Sequence, residues 1–260
     1  MRGLSIIFRK EIYALFSSPI AYVVVALFLV IVGYLFFSAV TYFALISFEV
    51  VQSQDVSAEG LNFTAFVWNT LFVNAGVTLI FMIPLLTMRS FSEEMKQGTL
   101  ELVFTFPISD GAIVLGKFLG LCFVFLVMII PTLVYIALGL WLGAPLDCGV
   151  LVSSYLGLFL LGLSFLSLGM FFSSLTENQV VSASLSFGVL LLFWILGWAS
   201  DFAGKTTGEI IRNISIIDHF RNLTRGLLDT QDIFFFLLFT VFFLIVTTLR
   251  LETRNWRGLR

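Results

Sequence analysis

Six uninterrupted apolar runs decide what this chain can fold into. They cover 20–46, 65–88, 118–142, 150–175, 180–200 and 233–249, and none contains Asp, Glu, Lys, Arg or His. A bilayer core of about 30 Å takes about 20 apolar residues per helix. The first five runs reach that length, and the last, with 17 residues, sits at the short end of the range. The runs are continuous rather than alternating, which excludes an outer-membrane barrel. In hydrocarbon a backbone of this kind satisfies its own polar groups only as α-helix. The expected fold is therefore an all-α membrane protein with six transmembrane helices.

Composition agrees. Of the 260 residues, 59% are hydrophobic, 31 are Phe and only 12% are charged. Soluble domains carry about 25% charged residues, so this chain lacks the polar surface that a soluble globule of its size needs. The six runs leave too few residues for a separate soluble domain. The first run is too long for a cleaved signal core and no A-x-A site follows it, so it reads as a retained helix. A net charge of −2 points to no nucleic-acid partner. Cys122 and Cys148 lie far apart, outside metal-ligand spacing, and read as packed or lipid-facing thiols.

Lys and Arg set the orientation. Arg2, Arg9 and Lys10 precede the first run; Arg89, Lys96 and Lys117 follow the second; Arg250, Arg254, Arg257 and Arg260 follow the last. These ten belong on the cytoplasmic side, which puts both termini there. The loop after the first run has Glu49, Asp55 and Glu59 and no base. Lys205, Arg212, Arg221 and Arg225 fall on the external side and run against the rule. The accompanying acids, Asp201, Glu209, Asp218, Asp229 and Asp232, do not remove that conflict, because acids count little in it.

Three segments do not span. Residues 4–18 place Leu4, Ile7, Phe8, Ile12 and Leu15 on one helical face, and Pro19 stops the helix before the first span. Such a helix can lie in the membrane interface. Residues 89–117 hold Glu93, Glu94, Lys96 and Glu101, a short apolar stretch over 99–106, then Pro107 with Ser109 and Asp110 as helix-start residues. This predicts a compact helix–turn–helix whose Leu100, Leu102, Val103, Phe104 and Phe106 need a cover. Residues 201–232 repeat Ile210, Ile214 and Ile217, then Phe220, Leu223 and Leu227, at helical spacing. Their charges forbid a lipid-exposed span. One or two short helices at the outer end of the bundle are expected, broken at Gly226.

Catalytic motifs fail on their chemistry. Gly111-x4-Gly116-Lys117 resembles a phosphate-binding loop, but Phe118 stands where magnesium needs Ser or Thr, and no strand precedes it. Gly116 with Gly120, and Gly139 with Gly143, read instead as close helix-packing pairs. His219 is the only histidine and has no Cys or second His for a metal site. It reads as a capping or interfacial residue. One histidine in a short loop builds no hydrolase triad. Ser182, Ala183, Ser184 and Ser186 read as a packing face, and Pro84 and Pro131 as kinks. No catalytic residue, metal site or cofactor is expected in this chain.

The chain resembles ABC-2 type permeases, the membrane subunits of ABC exporters. The resemblance rests on Phe8-Arg9-Lys10-Glu11 with Ser18-Pro19, and on Glu93-Glu94-x3-Gly98-Thr99-Leu100-Glu101-Leu102 with Pro107-Ile108-Ser109 and Gly116-Lys117. It rests further on the six spans and on His219-Phe220-x4-Arg225-Gly226-x2-Asp229-x2-Asp232 before the last span. The Ser-Pro start is similar to the branch of gliding-motility and nitrous-oxide-reductase maturation permeases. The resemblance implies one ABC-2 transmembrane domain over 1–260 in the bacterial inner membrane, paired with a second permease as a homodimer or heterodimer. It implies two separate ATPase subunits that bind ATP and Mg. Arg9, Lys10, Glu11, Glu93, Glu94, Gly98, Thr99 and Glu101 would contact them through the interface helix and a coupling helix over 90–106. Spans 2 and 5 would line the dimer seam. His219, Phe220, Arg225, Gly226, Asp229 and Asp232 would belong to an external re-entrant segment before the last span, whose helices match the family's over 206–229. Substitution of Glu94 or Glu101 is expected to abolish coupled ATPase stimulation with the fold intact. The competing classes are a membrane anchor or assembly subunit without cargo and a secondary carrier; uncharged spans argue against the latter.

Overall fold

A computed structural model describes residues 2–53, 63–100, 108–143, 147–202, 209 and 213–258. The described residues are helical, with no strand among them. In chain order the helices are α1 (Arg2–Ser17), α2 (Pro19–Ser53), α3 (Asn69–Thr87), α4 (Ser92–Lys96) and α5 (Asp110–Ile129). They continue as α6 (Val134–Trp141), α7 (Cys148–Leu175), α8 (Gln179–Phe202), α9 (Ile216–Thr224) and α10 (Thr230–Gly258). A π-helical turn, Thr64–Trp68, leads into α3, and a 3₁₀ turn, Ile130–Leu133, joins α5 to α6.

Among the described residues, six stretches are long and apolar enough to cross a membrane: Pro19–Val50, Phe66–Lys96, Asp110–Trp141, Cys148–Leu175, Gln179–Gly197 and Thr230–Thr253. Pro131 sits in the 3₁₀ turn, where its missing N–H interrupts the third of them. Pro84 lies inside α3.

The middle of the bundle belongs to α7. Some 72% of its apolar window is buried, and 67% for the second stretch, against 28% for the first, fifth and sixth. Small residues put it there. A Cβ added at Gly162 would lie 2.0 Å from the Phe125 ring, and one at Gly169 would lie 2.2 Å from Thr87 Oγ1. Without a hydrophobic drive between helices in lipid, such close approach is what holds neighbours together. Ser164 adds a polar tie, donating to the backbone oxygens of Leu160 and Phe236 at 3.1 and 3.2 Å. Large side chains fill the rest: Trp68, Phe28, Phe125, Phe165 and Phe236 are fully buried.

Two packing expectations need correction. Gly139 meets Trp68 at 3.1 Å, but Gly143 has φ +75° and open space around it, so it turns the chain and packs nothing. In α8, Ser182 and Ser186 are buried, one turn apart, whereas Ser184 points outward. Helical spacing explains the split, since positions i and i+4 share a face and i+2 does not.

Candidate functional site

The end of the bundle that carries α1 and α4 concentrates the charge. It is built on the packing of α1 along α5, which run parallel: Gly3 touches Ile108, Ile7 touches Gly116 and Glu11 touches Gly120. A Cβ at Gly116 would stand 2.8 Å from Ile7 Cγ2, and one at Gly120 the same distance from Glu11 Cγ. The expected glycine pair is thus a packing pair, and its partner is α1. Phe16 closes the contact edge-on against Phe123, at 6.2 Å between ring centroids.

That approach carries Glu11 to Lys117. The Lys117 ammonium donates to the Ser90 carbonyl at 2.7 Å and to Glu11 Oε2 at 3.1 Å, and it lies 3.2 Å from Glu94 Oε2. It also sits 5.1 Å from the centre of the Phe91 ring. Lys10 donates to the other oxygen of Glu94 at 2.9 Å. Two ammonium groups thus face two carboxylates. Lys117 and Glu11 are buried, at 3% and 6% exposure. A charge withdrawn from water this far is tolerated only when paired and hydrogen-bonded, and this set meets that condition.

A second knot fixes the chain between α3 and α4. Ser173 of α7 accepts from the backbone N–H groups of Phe91 and Ser92 at 3.0 and 3.1 Å, and its own hydroxyl lies 3.1 Å from the Met88 carbonyl. Ser92 Oγ donates back to the Ser173 carbonyl at 3.0 Å. Arg89 donates to Ser18 Oγ at the α1–α2 elbow and to Gln179 at the start of α8, each at 3.2 Å. Gly98, at φ +67°, ends α4 in a conformation that costs glycine little. Thr99 then donates to the Glu94 carbonyl at 3.3 Å. The short α4 segment and the turn before it are therefore tied to α1, the α1–α2 elbow, α5, α7 and α8 at once.

The sequence-derived residues divide accordingly. Arg9, Lys10 and Gly98 are exposed, Glu93 and Thr99 are half-buried, Glu11 is buried, and Glu101 falls outside the described residues. Glu94 keeps a side chain only 15% exposed between two ammonium groups, so it carries packing as well as any outer contact. Sequence reasoning missed the central role of Lys117, which looks like one more loop charge, and missed Ser90 and Ser173 altogether. The spacing Gly116-Lys117-x2-Gly120 is the one signal that could have suggested a lysine beside a close helix contact.

The opposite end is organised by α9. Ser215 caps it, accepting from the Asp218 N–H at 3.3 Å. Phe220 packs against Gly76 and Leu223 against Gly157, each within 3 Å of where a Cβ would stand. Thr224 donates to Asn69 at 3.2 Å, and its carbonyl accepts from Ser154. Gly226, at φ +87°, turns the chain towards α10, whose first turn uses Asp229 as acceptor for the Gln231 N–H at 3.0 Å. Arg225 lies exposed beside this turn. His219 is no capping residue: it is buried, stacked on Phe235 at 4.2 Å, with Nδ1 2.5 Å from Asp232 Oδ1 and Nε2 3.2 Å from the Asn213 carbonyl. Ile217 is buried while Ile214 and Leu227 are exposed, so the helical face is shorter than the spacing suggests. Ile210 falls outside the described residues.

The sequence matches the profile of the ABC-2 family transporter protein over residues 5–256. No curated protein matches the chain.

Proposed function

The chain belongs to the ABC-2 family of transporter proteins, a multi-pass membrane subunit of an ABC transporter, and on that premise we propose that it is the permease of an exporter driven by separate ATPase subunits. Residues 1–260 form one transmembrane domain of the inner membrane with both termini in the cytoplasm. Two copies of the ATPase bind below, supply ATP and Mg, and bear on α1 and on the segment around α4. A second permease, identical or related, completes the pore. The Ser18-Pro19 start supports the gliding-motility and nitrous-oxide-reductase maturation branch, whose members link ATP turnover to export or mechanical work.

The observation that carries this reading is the buried Glu11–Lys117–Glu94 set. A partner that pushes on the exposed face of α4 displaces Glu94, and Glu94 cannot move without Lys117 and hence α5. The same push reaches α7 through Ser173 and the α1–α2 elbow through Arg89. Two spanning helices and the elbow that leads into a third thus receive one displacement through charge-assisted or buried polar contacts. The uncharged spans suit an amphiphilic or lipid-linked cargo.

The test is co-expression with a candidate ABC ATPase subunit. A stable complex with ATPase turnover higher than that of the free ATPase supports the reading. A purified chain that transports down a gradient with no ATPase would replace it with a carrier.

A further inference from the structure

At the α9 end, Asp218, His219, Arg221, Arg225, Asp229 and Asp232 line one cavity of about 400 Å³, a size typical of small-molecule sites. Two features of its wall are left incomplete by the described residues. Asp232 is 3% exposed, and while one of its oxygens meets His219, Oδ2 is buried with no hydrogen-bond partner among the described residues. Asp218 Oδ2 is buried in the same condition. A carboxylate oxygen closed off from water without a donor is unfavourable, and an incoming N–H donor relieves it. On the same wall, Arg221 and Arg225 form no ion pair with any described residue.

Charge balance narrows the ligand. Both ring nitrogens of His219 face oxygens, Asp232 Oδ1 and the Asn213 carbonyl, so His219 and Asp232 offset each other as a hydrogen-bonded pair. Asp218 and Asp229 then face Arg221 and Arg225. A simple cation or a simple anion would upset that balance; a ligand carrying one of each would not. Guanidinium groups match phosphate oxygens, and buried carboxylates match an ammonium.

We propose that this cavity binds a phosphate–ammonium zwitterion of the phosphoethanolamine type, its ammonium on Asp218 and Asp232 and its phosphate on Arg221 and Arg225. The site lies where the last span begins, at one surface of the membrane, so either an aminophospholipid headgroup or a free phosphoethanolamine compound can supply that chemistry. The proposal deepens the permease reading and rests on it for a role in transport; binding itself is a property of this chain.

The experiment uses the purified full chain in nanodiscs. Binding of O-phosphoethanolamine is compared with ethanolamine and with inorganic phosphate. Retention of phosphatidylethanolamine is compared with phosphatidylglycerol and with phosphatidylcholine, whose quaternary ammonium has no N–H, by native mass spectrometry. The zwitterion should bind at least about tenfold better than either half, and Asp218→Asn and Arg221→Gln should each weaken it about tenfold. Both positions lie outside the His219–Asp232 pair, and circular dichroism verifies that the variants fold. Preferred retention of phosphatidylethanolamine identifies a lipid source; binding of the free compound without that preference identifies a soluble one. Equal binding of the halves and the whole, or binding indifferent to both substitutions, overturns the proposal. Loss here leaves the ATPase association untouched, so the two readings fail separately.

Discussion

Lys117 and Glu11 stand 106 positions apart and meet at 3.1 Å inside the charged end of the bundle. The contact exists because Gly120, one turn beyond Lys117, leaves no side chain between α5 and the stem of Glu11. It converts a helix that sequence alone would lay on the membrane surface into part of the bundle. Four consequences can be measured.

Removing the lysine strands two carboxylates. Lys117→Met should destabilise the protein by about 3–5 kcal/mol, the usual result of breaking a buried ion pair from one side. Adding Glu11→Gln should recover part of the loss, because one uncompensated charge is gone. Thermal unfolding in detergent reads both, and a single-variant loss under about 1 kcal/mol would mean that the lysine reaches water.

Filling the glycine contact should act on α1 first. Gly120→Val puts bulk where Glu11 Cγ lies 2.8 Å from a Cβ position. Overpacking of this kind costs about 1–3 kcal/mol. Here it should appear as faster amide exchange through residues 4–16, with the spans unaffected. Unchanged protection of α1 would separate its docking from this contact.

Exposed positions on and after α4 should behave differently from one another. Lys96 is exposed, and a charge reversal there should leave stability within about 0.5 kcal/mol. If the ATPase docks on this face, Lys96→Glu lowers ATPase stimulation by about tenfold or more in the purified complex. Stimulation equal to wild type would move the docking surface elsewhere. Gly98→Ala, by contrast, should cost about 1 kcal/mol through its φ of +67° alone, while Gly111→Ala, in helical backbone with open space, should be neutral or slightly stabilising.

The two cysteines test the orientation without engineering. Cys122 is buried in α5 and Cys148 is exposed at the end of α7 opposite Ser173 and α4. A membrane-impermeant maleimide should label Cys148 in intact cells and leave Cys122 unmodified. Labelling that requires permeabilised cells would place the α9 end inside and reverse the topology.

The sequence by itself determined the number of spans and their helical nature, because hydrocarbon forbids unpaired backbone and six uncharged runs admit no other solution. It also located the start of α5 near Ser109 and the breaks at Pro131 and Gly226, since those are local steric properties of a residue and its neighbours. Which helix sits in the middle was not legible in hydrophobicity, because in this chain all six runs are apolar on every side. Only the tertiary structure showed that the glycines and serines of α7 draw the others around it. The same holds for charge. Lys117, Glu11 and Glu94 look like separate loop charges in the sequence, as do His219 and Asp232 at the other end. They become two buried sites only when packing removes the water between them, and a Coulombic partner chosen across 106 residues leaves no periodic trace in the chain that bears it.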